Sequence, residues 1–158
     1  MSELCEPLRE FTASLPPILQ WLAVMLAGSL PFVESYYGSV IGVVAGVPPL
    51  VAVSAAVTGN IGSTLATVAV VHALKKRRTP GSLEQSFRSV RLRRLFEKYG
   101  IPGVSLGGQT LLPSQITAAT LVGLGVPGRK VIVWQVVSIT AWGLLYGTLA
   151  TLGVGLLT

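Results

Sequence analysis

The chain has 158 residues, 51% of them apolar and only 11% charged, with a formal net charge of +6. A water-soluble domain carries roughly 25% charged residues, so this composition excludes a fold wetted on all sides and points to the membrane class. The single cysteine, Cys5, excludes an internal disulfide and a thiolate-rich metal site.

The N-terminus, "MSELCEPLRE", carries Glu3, Glu6 and Glu10. A secretory signal starts basic, so the first apolar run is expected to stay in the mature protein, with residues 1–14 as a tail before it. That run covers Leu15 to Leu30. A second stretch, Phe32 to Val47, holds Glu34, the sole acidic residue between Phe11 and Leu83. A third, Leu50 to Leu74, meets the need for about 20 apolar residues in a spanning helix. Its end abuts a block holding Lys75, Lys76, Arg77, Arg78, Arg88, Arg91, Arg93, Arg94 and Lys98. Confined beside an apolar segment, these charges read as a positive-inside signal and not as a nucleic-acid surface.

Within the block, Ser82 and Gln85 fit a capping box. Leu83, Phe87, Val90, Leu92, Leu95, Phe96 and Tyr99 recur at helical spacing. Residues 75–100 are therefore expected to form an amphipathic segment on the anionic cytoplasmic leaflet. A fourth apolar region follows from Ile101. Gly107, Gly108 and Pro113 break it around "GGQTLLPSQIT", where Pro113 is expected to leave a carbonyl unpaired. Residues 131–157 form a second clean span.

The two broken stretches end alike. Aligning "GVP" at 46–48 with "GVP" at 125–127 pairs Ser35 with Ser114, Val43 with Val122 and Gly28 with Gly107. Each broken stretch precedes a full span. The expected fold is an all-α integral membrane protein, an inverted repeat of re-entrant helical hairpin plus transmembrane helix. The first repeat covers 15–74, with its hairpin at 31–49 and its span at 50–74. The second covers 101–158, with its hairpin at 101–127 and its span at 131–157. Interrupted segments of inverted-repeat transporters meet near the bilayer midplane and build the site there.

An ionised carboxylate inside a bilayer costs about 2.5–3.5 kcal/mol. Glu34 is therefore expected to lie near the interface, be protonated, or be paired in a cavity, and as a proton carrier it suits a coupled transporter. Tyr36 and Tyr37 read either as an interfacial belt or as partners of Glu34. Asn60 sits among small residues in the first span, suited to helix packing or to the path. Gln109, Thr110, Ser114 and Gln115 form the polar cluster of the second hairpin, where they would line the substrate path. Trp134, Gln135 and Trp142 lie on the last span, Trp142 as core or lipid contact. His72 reads as an interfacial residue. No metal spacing, phosphate loop or nucleophile triad occurs, so no cofactor and no enzymatic chemistry are expected.

"PFVES", then "GVSLGGQTLLPSQIT" after "FEKYG", then "WQVVSITAWG" resemble actinobacterial members of the small multidrug export protein family, which is distantly similar to the DedA superfamily. The resemblance spans roughly residues 15–155, and Pro31-x-x-Glu34 and Gln109-x-x-x-Pro113-Ser114-Gln115 are its most specific parts. It implies re-entrant hairpins in an inverted repeat. It also implies proton-dependent transport, or recycling of a polyprenyl-phosphate lipid carrier, with Glu34 at an acidic position of the first hairpin. The arginines usual in the second hairpin are replaced here by Gln109 and Gln115, which argues against a phosphate cargo.

The leading expectation is a small proton-coupled carrier exporting a cationic or amphiphilic molecule, a homodimer in the bacterial cytoplasmic membrane among its lipids. One alternative is a lipid flippase, with Glu34 as proton switch and Arg129, Arg91 and Arg94 meeting phosphate. Another is a non-transporting subunit of an envelope complex.

Overall fold

A computed structural model describes residues 2–77, 90–108 and 112–157. Among the described residues every regular element is a helix. In chain order these are α1 (Ser2–Ser14), α2 (Pro17–Ser29), α3 (Glu34–Val44), α4 (Pro49–Arg77), α5 (Val90–Gly108), α6 (Ser114–Gly123) and α7 (Gly128–Leu157). Two of them, α4 and α7, are long and apolar enough to cross a membrane.

Local chemistry sets the boundaries. Pro16 caps α2 and Pro17 opens it, where a missing N–H costs nothing. Pro31 cannot continue the helix, and it holds Leu30 extended (φ −75°, ψ 134°). The chain then turns through Phe32 (φ 72°) and Glu34 (φ 54°), left-handed conformations that cost L-residues roughly 1–2 kcal/mol each. In α5 the break is Gly100 (φ 65°), just before Pro102. The segment before it, from Val90, is helical as the amphipathic pattern predicts. Residues 78–89, with the capping box, lie outside the described residues.

The chain divides into two compact units. The first comprises Met1–Gly62 and Ile139–Thr158, that is α1, α2, α3, the start of α4 and the end of α7. The second is Ser63–Ser138, holding the rest of α4, α5, α6 and the start of α7. The division thus falls within both long helices, so each unit contains part of each span.

In the first unit α2 and α3 run antiparallel. A Cβ on Gly38 would lie 3.1 Å from Gly28 Cα, and one on Gly42 3.0 Å from Val24. Residues 31–49 therefore hold a turn and one helix, and the helix returning alongside α3 is α2. Residues 2–14, in the N-terminal tail, form a helix, and Cys5 and Leu8 pack on a core of Ala27, Val33 and Ile41. A second core joins Val24, Val43, Val47, Ala52, Ala55 and Ala56. In the second unit Val68, Val71, Val104, Ala118, Leu121, Val122 and Val131 form the core.

Both units end their short helix in the same way. The N–H of Gly46 bonds Val43 O at 3.1 Å and that of Val47 bonds Gly42 O at 2.9 Å. Gly125 and Val126 repeat this on Val122 O and Leu121 O, both at 3.1 Å. This paired closure needs a left-handed residue, supplied by Gly46 (φ 90°) and Gly125 (φ 94°). The shared "GVP" is the sequence trace of that turn.

Polar and apolar groups are distributed inside out. Glu34, Ser35, Ser39, Asn60, Thr117, Gln135 and Ser138 are buried, while Ile18, Leu50, Leu152 and Leu156 are exposed. Water favours the opposite arrangement, whereas a lipid surround favours this one.

Candidate functional site

Glu34 opens α3 in its left-handed turn and is fully buried. Strained residues in positions of this kind cluster at functional sites. The next residues fix the helix beneath it. Ser35 Oγ donates to Ile139 O at 2.8 Å, and Ser39 Oγ to Ser35 O at 2.6 Å. Close approach of α7 makes the first bond available. Gly143 lies against Ser35 and Val57, and Gly147 against Ser39 and Val53, so two glycines one turn apart let α7 settle on α3 and α4. Asn60, one turn beyond Val57, is fully buried in the same unit.

Tyr36 and Tyr37 are half-buried and form an aromatic cluster with two α7 residues. Ring centroids are 4.8 Å apart for Tyr36–Tyr37, 5.5 Å for Tyr36–Tyr146, 6.2 Å for Tyr37–Tyr146 and 5.9 Å for Trp142–Tyr146. These tilted and edge-on contacts suit ring quadrupoles. The Tyr36 hydroxyl donates to Phe32 O at 3.4 Å, back into the turn that holds Glu34.

The second unit holds Ser114, Gln115 and Arg129. Ser114 Oγ is 3.2 Å from Thr64 Oγ1, and Gln115 Nε2 donates to Ser63 Oγ at 2.9 Å. Both polar residues of the second hairpin thus dock on α4. Pro113 O accepts the Thr117 N–H at 2.9 Å, while the carbonyl that the missing Pro113 N–H would leave unpaired lies outside the described residues. Lys75 Nζ donates to Val122 O at 2.6 Å, placing a cation on the carbonyl end of α6. His72 sits against Gly128, and Arg129 is exposed. Arg91 and Arg94 fall in α5, but their side chains lie outside the described residues, as do Gln109 and Thr110 entirely.

The predicted residues therefore form two groups: Glu34, Tyr36, Tyr37 and Asn60 in one unit, Ser114 and Gln115 in the other. Sequence reasoning missed Ser35, Ser39, Ser63, Thr64 and Tyr146. The four-residue spacing of Gly143 and Gly147 was the available signal for the α7 contact. Among the described residues no group of His, Cys, Asp and Glu could hold a metal ion. In comparisons with known proteins, no family model, curated protein or solved structure matches this chain.

Proposed function

We propose that the chain is a small proton-coupled carrier of the bacterial cytoplasmic membrane, working as a homodimer among membrane lipids. It exports a cationic or amphiphilic small molecule and carries out no covalent chemistry. The observation that carries this reading is Glu34: a fully buried carboxyl group in a strained turn, on a short helix between apolar segments. A carboxyl group can bind a proton, and a cation reaching it gains strongly from the ionised form. Proton and cation thus compete for one group, which is the elementary requirement for exchange. The rings of Tyr36, Tyr37 and Tyr146 add faces that attract cations.

Topology follows on the same reading. Helices α2, α3 and α6 have 13, 11 and 10 residues. At 1.5 Å per residue each reaches about 20 Å or less, short of a hydrocarbon core of roughly 30 Å. We read α2–α3, and α5 beyond Gly100 with α6, as re-entrant hairpins of an inverted repeat. Their matching closures at Gly46 and Gly125 support this, and the basic segment 75–98 sets the cytoplasmic side.

The test is a susceptibility panel on a deletion strain complemented with wild type or Glu34→Gln. Sensitivity to lipophilic cations rescued by wild type alone is the expected result. Full rescue by Glu34→Gln removes the proposal. Sensitivity confined to an antibiotic that sequesters polyprenyl phosphate replaces it with lipid transport.

A further inference from the structure

The second unit buries polar atoms that have no hydrogen-bond partner in the protein: Oε1 and Nε2 of Gln135, Oγ1 of Thr117 and Oγ of Ser105. All three residues are fully buried, and they come from three helices, α7, α6 and α5. Such atoms are expensive to leave unsatisfied, so their placement calls for a ligand.

The register brings them to neighbouring levels. Leu121 and Val131 stand equally far on either side of Val126, in the turn joining α6 to α7, and both belong to one core with Val104. Thr117 and Gln135 lie one helical turn further from that turn, on the same faces. Ser138 Oγ donates to Ser105 O at 2.7 Å, which ties α5 to α7 one turn beyond Gln135. The first unit, closed by the same kind of turn, shows directly which residues meet in this register. There Cβ atoms placed on Gly42 and Gly38 fall 2.7 Å and 3.0 Å from Ala52 Cβ and Ala56 Cβ. Gly38 and Ala56 are the counterparts of Thr117 and Gln135 when the two "GVP" turns are aligned. With Gly28 they form a seam of backbone and methyl groups, with no polar side chain. The second unit places a hydroxyl and a primary amide at that level.

We infer that Gln135, Thr117 and Ser105 form an internal hydration site in the second unit. The mixture of groups selects the ligand. A cation would satisfy Oε1 but face the amide N–H groups, and an anion would do the reverse. A hydroxyl-type molecule both donates and accepts, and a buried water typically makes about three hydrogen bonds. Among the described residues no ionised side chain belongs to the cluster. Lys75 is engaged at Val122 O and His72 sits against Gly128, each between one and two helical turns from Thr117 or Gln135 along α6 or α7. Water here gives α6 exchangeable hydrogen-bonding neighbours where α3 has a fixed seam. A polar group brought beside α6 therefore finds solvation already in place.

The test uses the full chain in detergent micelles, with its glutamines labelled with nitrogen-15. The five glutamines are Gln20, Gln85, Gln109, Gln115 and Gln135, and loss of one signal in Gln135→Met assigns the side chain. The expected result is a direct cross-peak from the Gln135 amide protons to the water resonance, weakened several-fold in Thr117→Val and retained in Thr117→Ser. Amide cross-peaks to aliphatic protons alone, with none at the water frequency in wild type, overturn the inference. So does a water cross-peak unchanged in Thr117→Val, because Thr117 would then not belong to the site.

Discussion

Replacing Gly28 with alanine probes the contact that holds the first helix pair on its span. The added Cβ would lie 2.5 Å from Ala56 O, 2.8 Å from its Cα and 3.0 Å from its carbonyl carbon. All three are backbone atoms of α4, so no change of rotamer relieves the clash. Ordinary contact begins at 3.4 Å, and α2 and α4 must therefore part by about 0.9 Å. That movement also opens the approach of Gly59 to Met25 O and of Gly38 to Gly28. Overpacking costs about 1–3 kcal/mol, and a rigid obstacle belongs at the upper end. A loss of about 3 kcal/mol is roughly a 100-fold shift in the unfolding equilibrium. A Cβ added to Gly62, also on α4, would meet nothing within 4 Å, so Gly62→Ala is expected to be neutral or up to about 1 kcal/mol stabilising. Reversible unfolding in mixed micelles, followed by helical circular dichroism, measures both. A Gly28→Ala protein within about 0.5 kcal/mol of wild type, a change no larger than an ordinary surface substitution, refutes the packing argument.

Further outcomes follow from the same contacts. Gly46→Ala and Gly125→Ala each force an L-residue to φ near 90°, and each is expected to cost about 1–2 kcal/mol by the same unfolding assay. Lys75→Met removes the 2.6 Å bond to Val122 O, and a loss of about 1.5–3 kcal/mol is expected, with partial recovery in Lys75→Arg. Tyr146→Leu removes the ring that contacts Tyr36, Tyr37 and Trp142. It should weaken equilibrium binding of tetraphenylphosphonium by roughly 3- to 30-fold, on the scale of one or two cation–π contacts, whereas Tyr146→Phe should retain binding.

Much of this architecture was legible in the sequence because it depends on chain-local chemistry. The two long spans follow from apolar length, and the twin turns follow from "GVP", since a glycine must supply the left-handed residue. Glu34 stood out as a lone charge in apolar surroundings. The pairing of α3 with α2 was less legible, because it depends on Gly28 and Gly38 facing each other across a turn set by Pro31 and two left-handed residues. Ser63 and Thr64 were hidden by their mild hydropathy, and only their bonds to Gln115 and Ser114 reveal the docking of α6 on α4. Gln135 read as an incidental polar residue on a span, and its register with Thr117 becomes visible only in the packed unit. The division of both spans between compact units had no local signature, since each span is one continuous helix.

In the proposed function the buried carboxyl group of Glu34 exchanges a proton for a cation. Its most direct test is pH-gradient-driven efflux of tetraphenylphosphonium from proteoliposomes, comparing wild type with Glu34→Gln. Gradient-dependent efflux is expected for wild type and background leakage for Glu34→Gln, with both proteins equally folded. Equal efflux from the two proteins, or none from either while both are folded, contradicts it.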